Sequence, residues 1–84
     1  MPKVESISLA GLICWFWSND HNPPHFHVKR EGEWELRVFF LLAEEMFELI
    51  WGDPPKAKIL KRIEKAVRMH RAEPLGEWEA KVNQ

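Results

Sequence analysis

From Glu33 to Phe40 the chain alternates. Glu33, Glu35 and Arg37 interleave with Trp34, Leu36, Val38 and Phe40. Strand side chains point alternately to opposite faces, so a period of two predicts a strand with one buried and one solvated side. A half-buried strand of that kind belongs to an antiparallel sheet, and its apolar side needs a cover. Glu31-Gly32 supplies a tight turn before it, and His25–Arg30 reads as the other arm of a hairpin. Leu12–Ser18 is apolar and aromatic, which suits a buried strand. Met46–Trp51 reads as a fourth short strand ended by Gly52-Asp53-Pro54-Pro55, although the wider stretch "LLAEEMFELIW" also suits a helix.

The cover comes from the C-terminal part. Asp53 followed by Pro54 predicts a helix start, with the carboxylate capping free N–H groups and proline in the first turn. Leu60, Ile63, Val67 and His70 then recur three, four and three apart, with Ile59 and Ala66 beside them. Pro74 is expected to stop or kink this helix. "PLGEWEAKV" follows as a short helix presenting Leu75, Trp78 and Val82 to the core. The expected fold is α+β: a small antiparallel sheet of three to four strands with one long and one short C-terminal helix packed on one face. At 84 residues this is a single domain, 1–84. A domain so small has a thin stability margin, which five tryptophans and five phenylalanines offset, since each can bury about 150–250 Å².

Several function classes find no support. Cys14 is the one cysteine, so neither an intrachain disulfide nor a thiolate zinc site is available, and the usage fits a reducing compartment. The longest apolar run, Ile7–Trp17, has eleven residues against the roughly 20 that span a bilayer. It also lacks the flanks of a signal peptide, so a cytoplasmic protein without a membrane partner is expected. There is no tyrosine, no glycine-rich phosphate loop, no GxSxG and no HExxH.

Charge is segregated. Lys56–Arg71 holds seven basic residues and one acidic, a surplus of +6, within a chain of net charge −1. Lys58, Lys61, Arg62, Lys65 and Arg68 fall opposite the apolar stripe of the predicted helix. They form a candidate contact surface for a small protein partner or for RNA or DNA, with marked salt dependence in the nucleic-acid case. The acidic hairpin of a second copy, carrying Glu31, Glu33 and Glu35, is another partner for such a stripe, which makes a homodimer an option. A solvated helix face with no partner gives the same pattern.

The second candidate is the stretch "SNDHNPPHFHVKR", residues 18–30. His25 and His27 share one face of the predicted strand, and Phe26 and Val28 the other. The core side is that of Trp34 and Leu36, so the two histidines are expected to face outward with Lys29. Two imidazoles at that spacing can hold one divalent metal ion such as zinc, with Asp20, His21 or His70 completing the set. They can also serve as acid and base in cleaving RNA without a metal, making His25, His27 and His70 catalytic candidates. A hydrogen-bonded turn, with the histidines packed on Pro23 and Pro24, explains the same residues without chemistry. His70 continues the apolar stripe of the long helix and is either a boundary residue or the far wall of a pocket with that loop.

"NDHNPPHFHV", a hairpin, and a helix ending in "HRAEPLGEWE" together resemble the small bacterial proteins grouped as domain of unknown function 4160. The resemblance runs from about Leu12 to Lys81. Its specific parts are Asp20–Val28 and the set His70, Arg71, Glu73, Leu75 and Trp78. Pro74 and the apolar "VFFLLAEEMFELIW" depart from the family pattern. The family has no established activity. The resemblance implies a component of a two-gene module, often beside a protein of domain of unknown function 2442, and hence a toxin–antitoxin-type protein that binds a protein or RNA partner. The alternative is a metal- or histidine-dependent hydrolase or ribonuclease.

Overall fold

The structure is a computed structural model and describes residues 4, 7, 9–17, 23–42, 44–70 and 72–81. Four strands, β1 (Ile13–Trp15), β2 (Phe26–Arg30), β3 (Trp34–Val38) and β4 (Phe47–Gly52), precede two helices, α1 (Ala57–Met69) and α2 (Ala72–Lys81). The sheet is antiparallel in the order β1-β2-β3-β4. The α+β expectation holds, with the fourth strand present. Among the described residues no helix is long and apolar enough to cross a membrane.

The hairpin forms where alternation places it. Gly32 takes φ +77 in the Glu31–Glu33 turn, a conformation that costs a glycine little, and the Glu33 N–H donates to the Arg30 carbonyl at 2.9 Å. Pairing then aligns side chains in rows across all four strands. Cys14, Val28, Leu36 and Leu49 make one apolar row. Trp15, His27, Arg37 and Glu48 make a row on the opposite face, and Ile13, Lys29, Glu35 and Trp51 make the next. Ile50 is an extra residue in β4, where the register shifts opposite Glu35 and Leu36.

The first face carries the core. Phe16, Phe26, Val28, Leu36, Val38 and Phe40 are buried there with Ile63 and Val67 of α1 and Trp78 of α2. Val4 and Ile7 of the N-terminal segment join them. Leu75 packs at the margin as expected, while Val82 lies outside the described residues.

The start of α1 departs from expectation while its end follows it, and proline chemistry explains each. Asp53 does not cap α1. The N-cap is Lys56, with no side-chain capping bond, and its carbonyl accepts from the N–H groups of Ile59 and Leu60. A residue before proline is pushed out of helical conformation. Asp53 precedes Pro54 and Pro54 precedes Pro55, so helix becomes accessible only beyond them. At the other end, Pro74 acts four residues upstream of itself. A continuous helix would need a Pro74 N–H for the His70 carbonyl and would press the ring against it. Accordingly α1 ends at Met69, the His70 N–H bonds to the carbonyls of Ala66 and Val67, and Pro74 falls in the first turn of α2.

Candidate functional site

His25 and His27 share one face of the sheet, as the alternation requires. They are not on a solvated surface. His25 is 5% exposed and His27 4%, which overturns the expectation that they face outward. The cause is what else lies on that face. The Trp15 ring stacks on His27 at 5.3 Å with 22° between planes, and Trp17 meets both rings edge-on. The Lys29 ammonium sits 5.3 Å from the Trp15 ring centre, a cation–π contact. His25 stands 5.3 Å from each of His27, Phe39 and Trp78. The pair is thus set into an aromatic layer that forms a second, smaller packed face.

Polar contacts fix the two rings. His25 Nδ1 lies 2.8 Å from the Pro23 carbonyl oxygen. A carbonyl only accepts, so Nδ1 carries the hydrogen, and the lone pair of the neutral ring is on Nε2. His27 Nδ1 lies 3.8 Å from the Glu35 carboxylate, a contact that becomes an ion pair when the ring is protonated. Adjacent imidazoles flanked by a carboxylate are a familiar donor set. Among the described residues, however, no group of three His, Cys, Asp or Glu side chains could hold a metal ion. Asp20 and His21, two of the expected ligands, lie outside the described residues.

His70 belongs to a different part of the surface. Its Nδ1 contacts the Glu73 carboxylate at 3.3 Å. It lines a hollow of about 250 Å³ with Ile7, Leu9, Arg62, Lys65, Ala66 and Met69. No residue of β2 is in that wall. The structure therefore groups His70 with Arg62 and Lys65 rather than with the histidine pair.

The cationic stripe is present as expected. Lys58, Lys61, Arg62, Lys65 and Arg68 are all exposed, while Ile63 and Val67 on the far side of α1 are buried. Arg68 bonds the Glu64 carboxylate one turn back at 2.9 Å, which offsets part of its charge. The other four make no ion pair among the described residues. From Lys58 to Arg68 the stripe runs roughly 15 Å along the helix. Met69 beside it is 68% exposed, the most open large apolar side chain described.

Sequence reasoning missed the surroundings of the histidines: Trp15, Trp17, Phe39 and Trp78. A signal was present in "CWFW", residues 14–17. An unbroken apolar run in an antiparallel strand places large side chains on both faces, so both faces are packed.

The family described as Domain of unknown function (DUF4160) matches residues 11–79. No curated protein and no solved structure matches the chain.

Proposed function

The chain belongs to the DUF4160 family, and from that footing we propose that it is a small cytoplasmic bacterial protein of toxin–antitoxin type that binds a protein or RNA partner through α1. The observation that carries this reading is the cationic side of α1. Four exposed cations there make no ion pair among the described residues, while the same helix is anchored in the core by Ile63 and Val67. A rigid helix with a fixed row of exposed charges is pre-organised for an anionic surface, and the field speeds encounter. The histidine pair serves this surface indirectly, by packing the second face of the sheet.

A second reading, a histidine-dependent ribonuclease or metal-assisted hydrolase, draws on the adjacency of His25 and His27. Their burial leaves little room for a substrate phosphate, and His70 stands with the basic helix instead.

The test is capture from the native host with tagged wild-type chain and with Lys61→Glu/Lys65→Glu. The wild type is expected to retain one protein or RNA in stoichiometric amount at low salt, and the charge-reversed chain to lose it. A wild type that retains nothing stoichiometric, or a variant that retains the same partner equally, contradicts the reading.

A further inference from the structure

The two edges of the sheet are built differently. β1 is three residues long, and the Val4 N–H of the N-terminal segment donates to its Cys14 carbonyl at 3.2 Å. β4 has six residues and is the last strand on its side of the sheet. Natural edge strands are normally guarded by lysine, proline or shortness. β4 has none of these three, and its guards are the Glu48 charge and the Ile50 bulge. Its sequence is FELIWG, and Leu49, Ile50 and Trp51 are 41%, 39% and 46% exposed. Leu41 and Leu42, in the connection that leads into it, are exposed as well. Large exposed apolar side chains gathered along one sheet edge mark an interaction site.

Its chemistry narrows the occupant. Leu49 is aligned with Leu36 on the core face, and Trp51 with Glu35 on the other, because the Ile50 bulge shifts the register between them. A strand added here must therefore be apolar on both of its faces. It must also tolerate Glu48, the one charge in β4, whose carboxylate is already bonded by the Arg37 guanidinium. β4 of a second copy meets both requirements. The antiparallel two-fold register centred midway between residues 49 and 50 keeps opposite residues on the same face, and there Glu48 meets Trp51 and Phe47 meets Gly52 of the second copy. It does not meet the other Glu48, so no like charges are placed in opposition.

We propose that the chain self-associates through β4, pairing antiparallel with β4 of a second copy about a two-fold axis to make one continuous eight-stranded sheet. Isologous pairing of this kind closes the exposed edge and stops at two copies. The contact is confined to one six-residue strand, against about 20–30 residues a side in a standard interface, so the dimer should dissociate on dilution. The two-fold axis of an antiparallel pair stands perpendicular to the sheet. Both α1 helices would therefore lie on the same side, with their cationic faces presented together. That consequence rests on the α1 reading above, and the pairing itself does not. A bivalent cationic face would gain avidity for an extended anionic partner.

The test is sedimentation of the purified full chain from low micromolar to high micromolar concentration, with Ile50→Lys in parallel. The wild type should approach twice the chain mass, and Ile50→Lys should stay monomeric with an unchanged circular dichroism spectrum. Amide hydrogen exchange gives a second readout that needs no variant: protection of β4 amides should rise with wild-type concentration. A wild type that is monomeric throughout, an Ile50→Lys chain that still dimerises, or β4 exchange independent of concentration would each overturn the proposal. None of these results depends on whether α1 captures a partner.

Discussion

β2 separates two kinds of interior. On one side Phe26 and Val28 are fully buried among Phe16, Phe40, Ile63 and Val67, a hydrocarbon core roofed by helix. On the other side His25 and His27 are almost as deeply buried, but among Trp15, Trp17 and Phe39, with Lys29 and Glu35 reaching over or beside the rings and Trp78, which also meets Phe16 of the core, against His25. The first face excludes water by matching apolar shapes. The second does so by stacking flat rings, of which His25 donates to the Pro23 carbonyl. Two faces of one strand can thus be equally dry while only one looks hydrophobic in sequence.

If both faces are packed interiors, both should lose stability when a large ring is removed. Phe26→Ala is expected to cost about 3–5 kcal/mol and Trp15→Ala about 3 kcal/mol, measured by urea unfolding. A Trp15 variant within half a kilocalorie of wild type would break the comparison, because its face would then be a surface. His25→Phe keeps the ring and removes the donor to Pro23, so a smaller loss of about 1 kcal/mol is expected. A loss as large as that of Trp15→Ala would mean the hydrogen bond, and not the ring, holds that layer. Arg37 bonds Glu48 at the open margin of the second face, where both side chains are at least a third exposed. Arg37→Ala should therefore cost less than about 1 kcal/mol and should lose even that in high salt.

Much of the architecture was legible because it depends on local pattern. Alternation from Trp34 to Val38, the Glu31-Gly32 turn and the three–four spacing of Leu60, Ile63 and Val67 each encode one element. Alternation also correctly placed His25 and His27 together. It could not tell what covers their face, since that depends on Trp78 arriving from a helix some fifty residues later. The helix start was misread, because Pro55 acts on Pro54 and delays the helix past Asp53, whereas the expected break at Pro74 is made through the carbonyl of His70. His70 continues the apolar stripe of α1, which left it either a boundary residue or the wall of a pocket with the loop before β2. The chain instead breaks there, and the residue turns toward Glu73 and the hollow beside Ile7.

The account stands on the histidine pair being part of a packed layer, with binding left to α1. Urea unfolding of His27→Ala, with and without added zinc, tests this most directly. The account predicts a loss of about 2 kcal/mol with an unchanged denaturant slope, and a wild-type midpoint indifferent to zinc. A His27→Ala chain as stable as wild type, or a wild-type midpoint that climbs with zinc concentration, would contradict it and return the pair to chemistry.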